Sequence, residues 1–239
     1  MKNYRRLPLK GAGNCRDLGG YPCEGGITRF HRLYRSDSLH LLTGQDWNLL
    51  EEAGVRTILD LRSDSERSFQ PDQAEAHGFH FAAVPLQSQD IDLKNLKALA
   101  ADEAFLKSMT EGYLDMVKGN PDQVAKALNV LADGLREGAV LFHCTAGKDR
   151  TGILSALVLS FCGVADPDIV ADYQVTATYL LQSKKKKFPP EALPFLSSGP
   201  EKMEHLLEGF HRIGVEELLY DSGLKKESVR LIREAMIEG

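Results

Sequence analysis

Cysteine is scarce in this chain: four stand among 239 residues, at positions 15, 23, 144 and 162. No two form a C-x2-C pair. Cys15 and Cys23 lie eight apart in a glycine-rich stretch with no histidine pair beside them, so neither a zinc knuckle nor a disulfide-stapled framework is expected. Long apolar runs are also missing. None approaches about 20 residues, which argues against a membrane-spanning helix. The opening residues Met1 to Leu7 lack the apolar core of a secretory signal. An excess of positive charge is absent too: the formal net charge is −5, whereas a nucleic-acid-binding surface is usually basic. No nucleic-acid partner is expected. Internal repeats, low-complexity linkers and sharp composition breaks do not occur. Residues 1–239 are therefore expected to form a single domain, with about 185–239 as a helical C-terminal extension packed on it.

Apolar periodicity gives the fold class. Thr28 to Arg35, Val55 to Leu61, Phe79 to Leu86 and Val140 to Phe142 have the character of strands. Thr43 begins a helix as N-cap with Asp46 at N3, and Gly54 ends it. Ser65 to His77 is helical with a break at Pro71. Further helices are expected over Asp92 to Lys118, Asp122 to Glu137, Asp166 to about Lys184, Glu201 to Tyr220 and Lys225 to Glu238. Strands alternating with helices, then a helical tail, imply an α/β fold with a central, mostly parallel sheet and a C-terminal helical layer. The lone Trp47 reads as a packing residue. The run Lys184 to Lys187, followed by Phe188, reads as a solvated helix end.

The chemistry is concentrated in His143-Cys144-Thr145-Ala146-Gly147-Lys148-Asp149-Arg150-Thr151-Gly152. The apolar run Ala139 to Phe142 precedes it as a strand, and Ile153 to Leu159 follows as a buried helix. The motif is thus a tight strand-to-helix loop whose backbone N–H groups and helix N-terminus form an anion site. A cysteine there is held as thiolate, its pKa drawn from about 8.5 into roughly the 3.5–7.5 range. Arg150 supplies a planar fork that matches two phosphate oxygens. A nucleophilic sulfur beside a phosphate cradle suits phosphomonoester hydrolysis through a phosphocysteine intermediate. Cys144 is the candidate nucleophile. Thr145, Ala146, Gly147, Lys148, Asp149 and Arg150 are the candidate cradle. Thr151 has a hydroxyl able to donate toward the sulfur, and His143 is expected to order the loop. Lys148 is expected as a second cation on the rim, in contact with a second phosphate or with Asp149; the neutral reading is a solvated lysine near the helix start. Arg150 and the amides do the work a metal would do, so no metal and no cofactor are expected. A catalytic thiolate also suits a reducing, cytoplasmic setting. Cys15 or Cys23 could protect it as a disulfide.

These residues resemble the cysteine-dependent protein tyrosine phosphatase superfamily, whose loop pattern is H-C-x5-R-[ST]. The Ala-Gly-Lys-Asp-Arg-Thr-Gly version is similar to a bacterial and fungal tyrosine/serine phosphatase family that also acts on phosphoinositides. Asn14-Cys15-Arg16-Asp17-Leu18-Gly19-Gly20, Arg35-Ser36-Asp37-Ser38-Leu39 and Asp60-Leu61-Arg62 resemble three further motifs of that family, in the same order. The resemblance implies a phosphatase acting on phosphotyrosine, with phosphoserine, phosphothreonine or phosphoinositides as further substrates. Many members carry their general acid on a W-P-D loop, which this chain lacks. The narrower family carries an Asp inside the loop, here Asp149; Asp60, Asp90 and Asp92 are the alternatives. Arg16, Asp17, Arg35 and Asp37 are expected to support the site, although a surface position suits Arg35 and Asp37 nearly as well. Competing readings are a phosphate-binding module without turnover and another thiolate enzyme, such as a sulfurtransferase or an arsenate reductase.

Overall fold

Side chains alternate across a strand, so a strand buried at every position is covered on both faces. The computed structural model, which describes residues 3–86, 96–182 and 193–239, has such a strand at its centre. The strands are β1 (Arg16–Asp17), β2 (Pro22–Cys23), β3 (Gly26–Thr28), β4 (Leu33–Ser36), β5 (Val55–Asp60), β6 (His80–Ala83), β7 (Ala139–His143) and β8 (Ile237–Glu238). In β7, Ala139 and Leu141 join a cluster with Trp47, Leu50 and Ile58, whereas Val140 and Phe142 join another with Leu128, Leu157 and Ile232.

The main sheet has the order β1-β4-β7-β5-β6. Its β4, β7, β5 and β6 run parallel, and β1 is antiparallel at one edge. Register aligns Ser36 and Asp60 with His143, so three of the sequence motifs end level at the carboxyl edge of the sheet. That edge is where open α/β sheets bind ligands.

The helices are α1 (Gly44–Glu52), α2 (Asp64–Phe69), α3 (Leu96–Ala101), α4 (Glu103–Gly119), α5 (Pro121–Glu137), α6 (Asp149–Phe161), α7 (Asp166–Gln182), α8 (Leu193–Leu196), α9 (Pro200–Ile213), α10 (Val215–Asp221) and α11 (Lys226–Met236). Thr43 caps α1 in a reciprocal capping box with Asp46, as its sequence predicts. Helix α6 is buried from Arg150 through Leu159, which explains its apolar residues on every side. Met203, Leu206 and Leu207 of α9 and Ile232 of α11 belong to the same core cluster as α5 and α6.

Three local expectations need correction. The strand expected over Thr28 to Arg35 is two strands, because the chain turns between them with His31 at φ +62°. The helix expected over Glu201 to Tyr220 is interrupted at Gly214, whose left-handed backbone caps α9. The final helix stops at Met236; Ile237 and Glu238 extend and pair with β3, closing a small β2-β3-β8 sheet. Lys184 to Lys187, Phe188, Asp90 and Asp92 lie outside the described residues.

Candidate active site

Strand β7 delivers His143, and α6 begins at Asp149, so residues 144–148 must turn within a short loop. Cys144 lies at its start, 2% exposed. Two side chains pull the loop carbonyls backward. Asn14 Nδ2 donates to the Ala146 and Gly147 oxygens at 3.0 Å each, and Arg35 Nη2 donates to the Gly147 oxygen at 2.9 Å. Every described peptide is trans, and a trans peptide points its C=O and N–H in opposite directions. The amides of Gly147 and Lys148 therefore point away from Asn14 and Arg35. Backbone amides turned together in this way can bind an anion.

The brace behind the loop is itself a buried charge network. Asp172 of α7 accepts from Arg16 Nε at 2.9 Å and Arg35 Nη1 at 2.5 Å, and also from the Tyr21 hydroxyl at 3.1 Å. Arg16 further donates to Asn14 Oδ1 at 2.5 Å, fixing the amide that holds the loop. Burial alone would raise the Asp172 carboxyl, but Arg16 and Arg35 outweigh it and hold it far below the ordinary carboxylate range. Burial and the adjacent Arg16 draw Arg35 down to about 10. Asp37 is buried and accepts from the Asn14 amide at 2.9 Å. Arg35 and Asp37 are thus interior groups. Asp17 is also buried, but its carboxylate accepts from the Gly19 and His31 amides and touches no loop residue, so it braces the N-terminal turn. Burial pushes it up to about 6.

Arg150 is oriented by a residue absent from the expected site. Glu66 of α2 accepts from Arg150 Nη1 at 2.6 Å and Nη2 at 2.7 Å, and it also accepts from the Thr145 hydroxyl. A guanidinium presents two forks. Glu66 holds the Nη1/Nη2 edge, and no described residue hydrogen-bonds Nε. Burial would lower the Arg150 pKa, yet the hydrogen bonds to Glu66 raise it above the usual value. Burial would raise Glu66, but the hydrogen bonds from Arg150 and Thr145 bring it well below the carboxylate range.

His143 is buried behind Cys144, with Nδ1 3.2 Å from the Cys144 oxygen and Nε2 3.0 Å from Asp72 Oδ2. Asp60, Asp72 and His143 converge closely enough to share a cation. The Arg62 guanidinium already lies between the carboxylates, 2.7 Å from each. Burial would raise Asp60, but His143 and Arg62 hold it down, and both of its oxygens accept from Arg62, which leaves neither free to carry a proton to substrate. Thr151 Oγ1 is buried without a hydrogen-bond partner among the described residues.

Lys148 is not the exposed rim cation expected, but of its two expected contacts the one to Asp149 is present. Its side chain is 2% exposed, and Nζ donates to the Phe195 and Ser197 carbonyls, fastening the loop to the end of α8. Asp149 lies beyond it, 31% exposed, with Oδ1 3.4 Å from Lys148 Nζ and accepting from the Tyr113 hydroxyl. Burial would raise Asp149; Lys148, Tyr113 and Lys202 together bring it below the carboxylate range. Lys202 of α9 is half-buried in this group, and burial and Lys148 lower it to about 8. Cys15 belongs to the core cluster on the α1 side of the sheet and Cys144 to the opposite one. Burial raises the Cys15 thiol strongly, which makes it a poor nucleophile.

Glu66, Asp72, Tyr113, Asp172 and Lys202 had not been singled out from the sequence. Only Glu66 carried a local signal, because Ser63-x-x-Glu66 is a capping box at the start of α2.

Comparison with known proteins agrees with this geometry. A Cupriavidus necator protein provisionally named a tyrosine-protein phosphatase is 37% identical over 168 residues, covering 67% of this chain and 59% of that protein. A tyrosine-protein phosphatase of Nostoc commune is 34% identical over 148 residues, covering 61% of this chain and 48% of that protein. The triple specificity protein phosphatase PtpB of Mycobacterium tuberculosis is 30% identical over 194 residues, covering 71% and 67%. The chain thus spans about half to three fifths of the first two relatives. The model of the tyrosine phosphatase family matches residues 7–238, nearly the whole chain and every element around Cys144, and the chain belongs to that family.

Proposed function

We propose that this chain hydrolyses phosphomonoesters, phosphotyrosine first and phosphoserine or phosphothreonine with it, through a phosphocysteine intermediate. The observation that carries the reading is the loop at residues 144–150. Its carbonyls are drawn back by Asn14 and Arg35 while Glu66 orients Arg150 beside Cys144. In the first step Cys144 Sγ attacks phosphorus, the phosphorus–ester oxygen bond breaks, and Asp149 gives the leaving oxygen its proton. Arg150 and the loop amides stabilise charge on the transferring group. In the second step water attacks the phosphorus of the phosphocysteine, Asp149 takes the water's proton, the phosphorus–sulfur bond breaks, and phosphate departs while Cys144 is regenerated as thiolate. The Thr151 hydroxyl, lacking another partner among the described residues, is available to that thiolate.

Phosphoinositides are a second substrate class under the same mechanism. Lys202, half-buried beside Lys148 and Asp149, is the cation a second phosphate would meet, a role the sequence had suggested for Lys148. Among the described residues no helix is long and apolar enough to cross a membrane. A reducing cytoplasmic setting suits the free thiol.

Replacing Cys144 by Ser tests the reading. Turnover of a phosphotyrosyl peptide is expected to vanish while vanadate still binds, because the cradle is backbone and Arg150. Wild-type activity is expected to survive EDTA and to fail on alkylation by iodoacetamide. Retained turnover in the serine variant, or loss on chelation reversed by a divalent ion, would remove Cys144 as the nucleophile. Phosphotyrosyl peptide against phosphoinositide vesicles then separates the two substrate classes.

A further inference from the structure

A general acid must present its proton on one particular oxygen, and a carboxyl group has two. In Asp149 they are not equivalent. Oδ1 accepts from the Tyr113 hydroxyl and lies 3.4 Å from Lys148 Nζ; no described residue hydrogen-bonds Oδ2. Tyr113 comes from α4, 36 positions before Asp149 in the chain. Its hydroxyl also lies 2.8 Å from that of Tyr173 on α7. A phenol has one proton. Since Tyr113 gives its proton to Asp149, Tyr173 must donate to Tyr113, and the chain of hydrogen bonds runs in one direction, Tyr173 to Tyr113 to Asp149.

Packing fixes both rings. They meet edge-on, with centroids 6.0 Å apart at 87°. Tyr173 is fully buried, and Tyr113 is 3% exposed. A Cβ built on Gly152, in the first turn of α6, would lie 3.2 Å from Tyr173 Cδ2, so this ring rests on the helix that starts at Asp149. Neither tyrosine can turn away without disturbing the core.

We infer that Tyr113, oriented by Tyr173, is a positioning residue that commits Asp149 Oδ1 as an acceptor and leaves Oδ2 to carry the transferable proton. The inference rests on Asp149 being the acid. The other charged groups around it are Lys148 of the loop, Lys202 of α9 with its neighbour Glu201, and Arg150. Tyr113 is the neutral donor among them. Its bond favours the ionised carboxylate, so removing it makes Asp149 easier to protonate while leaving the side chain less well aimed.

Tyr113→Phe, Tyr173→Phe and Asp149→Asn are compared by the pH dependence of kcat/KM on an alkyl phosphate and on p-nitrophenyl phosphate. The Asp149→Asn variant should slow the alkyl substrate about 10²–10⁴-fold more than the nitrophenyl one. Tyr113→Phe should move the alkaline limb for the alkyl substrate upward by about one to two pH units, since a hydrogen bond to a charged group carries about 1.5–3 kcal/mol. It should also lower the alkyl rate about tenfold more than the nitrophenyl rate, from the loss of aim. Tyr173→Phe should shift the limb in the same direction by less. In the Asp149→Asn background neither change should add leaving-group discrimination.

Equal losses on both substrates with the alkaline limb unmoved would make the tyrosines packing residues and overturn the inference. Should Tyr113→Phe fail to fold, Tyr173→Phe decides alone, and an unmoved limb there overturns it. No leaving-group dependence in Asp149→Asn would instead remove Asp149 as the acid, an outcome separate from failure of the tyrosine arms.

Discussion

An alanine at position 147 would carry its Cβ to 2.4 Å from the Ser36 carbonyl oxygen and 2.6 Å from the Asp37 nitrogen, at a backbone φ of +66°. The left-handed backbone costs an L-residue about 1–2 kcal/mol, and overlap with a strand end adds about 1–3 kcal/mol. Gly147→Ala is therefore expected to lower the urea midpoint clearly and to weaken vanadate binding, because the loop must back away from β4 and take its amides along. An unchanged vanadate affinity would mean the cradle does not depend on this close approach. The same position shows what was legible from sequence at the scale of single residues. The need for a tight turn between strand and helix was readable, since the loop residues are chain neighbours. The side-chain direction of Lys148 was not: a lysine near a helix start reads as solvated, and here it finds the Phe195 and Ser197 carbonyls nearly fifty positions away.

Among elements, α2 depends most on the site it serves. It is six residues long and buries none of them, and a helix that short has no independent stability. Its anchors are the Ser63 capping box, Arg67 donating to the Arg62 oxygen at 2.6 Å, and the Glu66 fork on Arg150. Glu66 serves both cap and clamp, which makes two substitutions informative together. Glu66→Gln keeps an acceptor for the Ser63 amide, since glutamine also serves in capping boxes, but it leaves Arg150 with a neutral partner. Loss of a charge-assisted bond of about 1.5–3 kcal/mol predicts kcat/KM down by about 10–100-fold with thermal stability near wild type. Glu66→Ala should lower both. If Glu66→Gln turns over phosphotyrosyl peptide at the wild-type rate, Glu66 is only a helix cap. Elements themselves were mostly legible because their signals are local, as with the Thr43 cap of α1 and the buried run of α6. The second partner of Glu66 lies 84 positions on, and no local pattern encodes it. The short β8 is a similar case. Ile237 and Glu238 continue the periodicity of α11, and only the open edge of β3 draws them into a sheet.

At the scale of the whole molecule, Asp172 links three parts of the chain that the sequence presents as unrelated: β1 through Arg16, β4 through Arg35, and α7 itself. The expected fold class follows from alternating strands and helices and is what is observed. The convergence on Asp172 does not follow from any periodicity, since an aspartate within a helix reads as a surface residue. Removing one partner of a buried ionic group typically costs about 3–5 kcal/mol, because the remaining charges stay buried without compensation. Asp172→Asn would leave Arg16 and Arg35 in that position, and a loss of that order is expected in urea unfolding near neutral pH. The sign with pH follows from linkage. The folded carboxyl lies below its unfolded value of about 3.9. Its contribution is therefore fully present above about pH 5 and is lost as pH falls through the unfolded value toward the folded one. Wild-type stability should fall over that acid range, with Glu66 and Asp149 adding to the fall because their carboxyls are also held low, while Asp17, held high, opposes it. The variant should start lower and fall less steeply, so the two curves should converge toward acid. Parallel curves would show that Asp172 stabilises by shape and packing alone, and the charge network behind the loop would then have no part in the protein's response to acid.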